Sequence, residues 1–170
     1  MITYCNGDLL QAKVECLVNT INLCGVMGKG IALRFKQDFP VNYKLYRKAC
    51  FKNEVRIGEM YITSNPAYDN LVKSAPWNGE ALNKDDVKDM WPHYIINFPT
   101  KMHWRDPSKL EWIVWGLADL VRVVKEYKLE SIAIPALGCS CGGLQWSEVR
   151  PLIENAFAPL NILTLIYNPL

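Results

Sequence analysis

Strand-like segments rich in β-branched and apolar residues occur at 1–5, 14–20 (VECLVNT), 58–63 (GEMYIT), 93–98 (HYIINF), 131–135 (SIAIP) and 162–167 (ILTLIY). Several are continuous apolar runs rather than alternating ones. A strand of that kind has no face to give to water, so it belongs inside a sheet covered on both sides. Helical patterns supply the covers. Residues 30–38 and 41–51 read as one helix and its continuation, broken at Pro40. In 107–127, Leu110, Ile113, Val114, Leu117, Leu120, Val121 and Val124 recur at the spacing of one helical face. Asp106 and Pro107 stand where an N-cap and a first-turn proline belong, and Ser108 with Glu111 offers a capping box. Trp146, Val149, Ile153 and Phe157 mark a last helix. With strands and helices alternating, the predicted fold is a three-layer α/β/α sandwich around a mixed, mainly parallel central sheet.

A chain of 170 residues, half of them apolar, suits one domain, 1–170, with a single core. Residues 65–92, with Trp77 and Trp91 embedded, read as a long loop or insertion, either a lid or a mobile excursion. The formal charge of +2 gives no overall field for nucleic acid, so any such binding needs a local patch. Six scattered cysteines and two histidines show no C-x-x-C pairing, so free thiols are expected and no metal centre. The N-terminus has no leader pattern and no apolar run is long enough to span a bilayer, so a soluble cytoplasmic protein without membrane association is expected.

Chemistry concentrates at the predicted strand ends. Residues 19–35 run from a strand through Gly25, Gly28 and Gly30 into a helix, and glycines before a helix N-terminus let backbone N–H groups approach an anion. The spacing is neither a Walker loop nor G-x-G-x-x-G, and taken alone it fits a structural turn equally well. Residues 135–146 repeat the arrangement, with Gly138, Gly142 and Gly143. Two such loops on neighbouring strands would clasp a diphosphate from both sides. Asp8, before Leu9, is either a helix N-cap or an acceptor for an exocyclic amine such as that of adenine. In FPTKMHWR, 98–105, Lys101 follows a core strand, as a strand-capping surface lysine or as a binding or reactive group. Trp104 stacks on an extruded base or, the expected outcome, packs in the core against the 107–127 helix.

NGDLL, LVNTINLCGVMGKGIALRFKQDFP, YIINFPTKMHWR and IPALGCSCGGLQW together resemble the macrodomain family, and within it the DarG-like branch of DNA ADP-ribosyl glycohydrolase antitoxins, related to terminal ADP-ribose protein glycohydrolases. The resemblance covers nearly the whole chain outside 65–92. It implies a macrodomain fold, possession of an ADP-ribose cleft, and hydrolytic removal of ADP-ribose from thymidine bases of single-stranded DNA, reversing a DarT-type partner toxin without a cofactor. The chain ends directly after the last predicted strand, as either a free-standing macrodomain or one excised from a longer antitoxin would. Other readings are a binding module without turnover, or a hydrolase of protein-linked ADP-ribose or of small ADP-ribose derivatives.

By the same resemblance Asp8 and Leu9 meet the adenine, and Asn19 and Asn22 lie beside the distal ribose. Gly25, Val26, Met27, Gly28 and Gly30 form one clasp; Gly138, Cys139, Ser140, Cys141, Gly142 and Gly143 form the other. Tyr167 packs on the adenine or is an ordinary strand-end tyrosine. Lys101 with Asn19 is the implied catalytic pair, and His103, Trp104 and Arg105 are candidate DNA contacts. The chain departs from the family at Gly142, where the human relatives carry an aspartate that works with the lysine, and at Ser140 and Cys141, which replace small or apolar residues. Without that aspartate, Lys101 acts as a nucleophile only if a neighbour or burial frees its amine; otherwise it is a charged clamp.

Overall fold

In the computed structural model, which describes residues 1–74 and 90–170, the strands are β1 (Ile2–Cys5), β2 (Cys16–Asn22), β3 (Tyr61–Ser64), β4 (Tyr94–Lys101), β5 (Ser131–Ile134) and β6 (Leu163–Tyr167). They form one sheet in the order β1-β6-β5-β2-β4-β3. Only β3 runs antiparallel to its neighbour, so five strands point their carboxyl ends to one edge. The mixed, mainly parallel sheet follows from the non-alternating runs. In β2, Cys16 and Val18 join one apolar layer while Leu17 and Ile21 join the layers on the other face. Ile96 and Phe98 of β4 face the first layer and Ile95 faces the second.

Helices α1 (Gly30–Asp38), α2 (Pro40–Phe51), α3 (Pro66–Ser74), α4 (Leu110–Glu126) and α5 (Trp146–Phe157) complete the described chain. Pro40 occupies the first turn of α2, where its missing N–H costs nothing, so the predicted break is the start of a new helix. Three expectations need correction. Part of 65–92 is helical: Asn65 accepts from the Ala67 amide and Pro66 follows it as the first helical residue of α3. The choice between a lid and a mobile excursion falls largely on residues 75–89, which lie outside the described residues. Helix α4 begins at Leu110 behind an N-cap, Lys109, that makes no side-chain cap; neither Asp106 nor Ser108 caps it. The reason is tertiary, since the Ser108 amide donates to Gly142 O at 2.9 Å. Finally, Val114 is 46% exposed, and the buried stripe of α4 runs through Ile113, Gly116, Leu117, Leu120, Val123 and Val124.

A buried polar cluster ties the middle of the sheet to α2. Asn97 Nδ2 donates to Asn42 Oδ1 (2.8 Å) and to Tyr61 O (3.1 Å), Asn19 Nδ2 donates to Asn97 Oδ1 (3.1 Å), and Thr63 Oγ1 donates to Asn42 Oδ1 (2.7 Å). Each buried amide that finds a partner avoids a desolvation penalty of about 1–3 kcal/mol. The cluster therefore fixes how β2, β3 and β4 sit under α2.

Candidate functional site

The loops that follow β1, β2, β4, β5 and β6 all emerge at one edge, where an open α/β sheet collects ligands. The first glycine loop is held by Asn22 at the end of β2. Its Nδ2 donates to Val26 O at 2.7 Å, and its Oδ1 accepts from the Cys24 amide at 2.9 Å and from the Tyr46 hydroxyl at 2.9 Å. That hydroxyl is buried, and desolvation pushes its pKa up, so it remains a donor at any physiological pH. The loop leads into α1, whose N-cap Lys29 offers no side-chain cap and whose first turn holds no acidic residue. The N-terminal amides of α1 are thus left without a side-chain acceptor, the condition that suits an anion.

The second loop, after β5, is shaped by two glycines for different reasons. Gly138 adopts φ +71°, and a Cβ there would sit 2.9 Å from Leu144 Cδ1. Gly142 has no positive φ, yet its Cβ would fall 2.3 Å from both Gly138 O and Ser108 Oγ. No side chain fits at 142 in this loop, so no carboxylate can stand there beside Lys101. The two loops approach each other: a Cβ on Gly30 would lie 3.8 Å from Cys141 Sγ.

Lys101 joins them. It is the last residue of β4, level with Asn22 in the β2–β4 register, and only 9% exposed. Its Nζ reaches across to donate to Cys141 O at 2.5 Å and to Trp104 O at 3.3 Å. Both partners are carbonyl oxygens, which accept only, so they hold the amine as a donor. The surface-lysine reading is excluded by this burial. On the other side, Leu23 N donates to Met102 O at 3.2 Å, so the 101–104 turn is stitched to both loops.

Asn19 stands elsewhere. It pairs with Asn97 in mid-strand, is 0% exposed, and spends its amide on Asn97 and Met27 Sδ. Its Oδ1 has no hydrogen-bond partner, and the β2–β4 register sets Asn22, three residues further on, level with Lys101. Met27 is likewise buried, while Val26 is exposed. Asp8 takes the expected cap position, accepting from Leu10 N at 3.0 Å before the 3-10 helix Leu9–Gln11, and it also pairs with Arg34 at 2.8 Å. Leu9 is buried beneath it. Tyr167, half-buried at the end of β6, has its phenol pKa raised by burial and then by Cys5 and Asp8.

In the second loop Cys139 is half-buried and desolvation pushes its thiol up to about 11, which leaves it protonated and a poor nucleophile at neutral pH. Ser140 and Cys141 are exposed, and all six cysteines are free. Trp104 corrects the expectation of core packing. It is 45% exposed, stacked on His103 (5.4 Å between centroids) with the Arg105 guanidinium 4.6 Å over its ring. Sequence reasoning missed Ser108, whose backbone braces Gly142, and Tyr46, which braces Asn22. No local pattern signals either, because both act across more than twenty residues of chain. Among the described residues no cluster of three His, Cys, Asp or Glu could hold a metal ion, and no helix is long and apolar enough to cross a membrane.

A family model described as Macro domain matches residues 79–153. The DNA ADP-ribosyl glycohydrolase of Mycobacterium tuberculosis is 45% identical over 99% of this chain, which spans 42% of that relative. The chain thus spans about two fifths of the length of the DNA ADP-ribosyl glycohydrolases it matches. Among solved structures, the macrodomain of Mycobacterium tuberculosis DarG superposes with a TM-score of 0.84 at 44% identity, covering 100% of this chain and 99% of that one. Thermosipho africanus DarTG in complex with ADP-ribose gives 0.78 at 35% identity, covering 96% of this chain and 40% of that one.

Proposed function

Since the chain belongs to the macrodomain family, we propose that it is a glycohydrolase that removes ADP-ribose from thymidine bases of single-stranded DNA and so reverses a DarT-type toxin in the cytoplasm. The observation that carries the reading is Lys101: a buried amine, held as a donor at a strand end between two glycine loops. The loops and the open N-terminus of α1 would take the diphosphate, with Asp8, Leu9 and Tyr167 at the adenine end. Asn22 and Lys101 would flank the distal ribose.

In this reaction water adds to the anomeric carbon, and the base departs with the electrons of the broken C–N bond and gains a proton. Positive charge develops on the sugar and negative charge on the base. With two of its N–H groups committed to Cys141 O and Trp104 O, Lys101 keeps one to donate to the leaving base. That donation is stronger in the transition state than in the ground state, which is what accelerates a step. The absence of room for a carboxylate at Gly142 favours this clamp over attack by the amine. The His103–Trp104–Arg105 stack, with Trp104 and Arg105 exposed, borders the same turn and would receive a base of the strand.

The test is a substrate panel: a thymidine-ADP-ribosylated oligonucleotide, a protein ADP-ribosylated on glutamate, and ADP-ribose 1″-phosphate. The expected result is a kcat/KM for the oligonucleotide at least tenfold above the other two. Release from the protein or the phosphate ester alone would overturn the DNA assignment. Tight ADP-ribose binding without turnover of any of the three would make the chain a reader.

A further inference from the structure

The first glycine loop borders a second hollow, shared with α1 and α2 and not with the second loop. This pocket of about 320 Å³ is lined by residues 24–28 together with Lys36, Tyr43, Arg47 and Phe51. Lys101 takes no part in it. Its lining alternates cation and ring: Lys36 Nζ lies 4.6 Å from the Tyr43 centroid, the Arg47 guanidinium lies 5.5 Å from that of Phe51, and Arg47 Nη1 donates to the Tyr43 hydroxyl at 3.2 Å. Among the described residues neither Lys36 nor Arg47 has a carboxylate partner; the ion pairs belong to Arg34, Arg122 and Arg150. Phe51 is 69% exposed, an apolar ring left facing water beside an unpaired guanidinium.

The segment of sequence that carries α1 and α2 is basic. Residues 29–56 hold eight Lys and Arg against two Asp and Glu, a local +6 in a chain whose total is +2. The remainder is therefore net negative, by four charges. Of these cations Lys36 and Arg47 line the pocket, whereas Arg34 pairs with Asp8 and Asp38.

We propose that this pocket is a subsite for the unmodified single strand of DNA that flanks the modified base, with a backbone phosphate on Lys36 and Arg47 and a base stacked on Phe51. Cations interleaved with aromatic faces track a strand without reading its sequence. The first loop borders both the proposed diphosphate site and this hollow, so a strand held here lies beside the reacting sugar. The biological setting of the inference rests on the DNA reading of the cleft, whereas binding of the strand does not require turnover.

The test measures fluorescence anisotropy of a labelled, unmodified twelve-nucleotide oligothymidine across a salt series, with wild type, Lys36→Glu and Phe51→Ala. Both residues are exposed, and unchanged melting curves confirm folding. Wild type should bind. Lys36→Glu should reduce the slope of log K against log salt by about 0.7, one phosphate's share for a single strand. Phe51→Ala should weaken binding by roughly fivefold or more, the range for one base stacked on a ring. In a second arm, both variants should raise KM for a modified twelve-mer and leave release from ADP-ribosylated thymidine nucleoside unchanged. Oligonucleotide binding equal to wild type in both variants would overturn the proposal. So would no binding by wild type, and so would a purified DarT-type toxin being bound by wild type and lost in the variants while the oligonucleotide is ignored. If wild type hydrolyses neither modified substrate, the reading of the cleft fails while the anisotropy arm still decides the subsite.

Discussion

Gly142→Ala separates steric from torsional control of the second loop. The backbone at 142 has no positive φ, so alanine meets no torsional penalty there, but its Cβ would sit 2.3 Å from Gly138 O and from Ser108 Oγ. Relief to an ordinary contact needs about 1 Å of movement, and overpacking of this size costs typically about 1–3 kcal/mol. The neighbours are not free to move: Gly138 O accepts from Leu144 N at 3.0 Å, and Ser108 N donates to Gly142 O at 2.9 Å. Losing one of those bonds adds about 1 kcal/mol. The total of about 2–4 kcal/mol, at about 2–4 °C per kcal/mol for a domain of this size, should lower Tm by roughly 4–16 °C. Cys141 O, the acceptor for Lys101, lies next to the displaced residue, so turnover should fall at least tenfold. Gly143→Ala is the control. Its Cβ would meet nothing within 4 Å, and only φ +78° opposes it, at about 1–2 kcal/mol. Differential scanning calorimetry and ADP-ribose release on both variants give the comparison. If Gly142→Ala proves no worse than Gly143→Ala in both assays, the close packing of this loop is not what holds the site.

Further expectations concern the framework. Asn97→Ala removes the acceptor of Asn19 and both links to Asn42, so it should cost about 3 kcal/mol or more and lower the urea midpoint, with little change in KM. Gly116→Ala in α4 would put a Cβ 2.2 Å from Phe98 Cζ, and this fully buried ring has no room to retreat; thermal melting should show a net loss even though alanine favours the helix by about 1 kcal/mol. Burial raises Cys139 from 9.0 to about 11 and Tyr94 from 10.0 to about 12. The unfolded chain therefore sheds these protons first, and stability should hold below pH 9 and decline as pH rises from 9 toward 12. Urea midpoints that stay level from pH 8 to pH 11 would contradict that burial.

The layer architecture was legible because β2 and β4 carry apolar residues on both faces, and no other arrangement buries them. The identity of the asparagine beside the lysine was not. The motif NTIN holds two, and a strand read as 14–20 puts Asn19 near its end, whereas β2 in fact runs Cys16–Asn22 and leaves Asn19 deep in the sheet. A two-residue shift in a boundary decides which asparagine stands level with Lys101. Helix α3 was missed although Asn65–Pro66 is a start signal, because the polarity of the whole 65–92 stretch outweighed it. The grip of Lys101 on Cys141 O spans forty residues, and no pattern in one dimension encodes such a contact.

The central claim is that the Lys101 amine acts on the bond that breaks, not on holding ADP-ribose. It is tested most directly by single-turnover release of ADP-ribose from a thymidine-modified oligonucleotide with wild type and Lys101→Ala, alongside calorimetric titration of both with free ADP-ribose. The account predicts a rate lower by about 10²–10³, the usual effect of removing one transition-state donor, with affinity for ADP-ribose within a few-fold of wild type. A Lys101→Ala rate equal to wild type would contradict it.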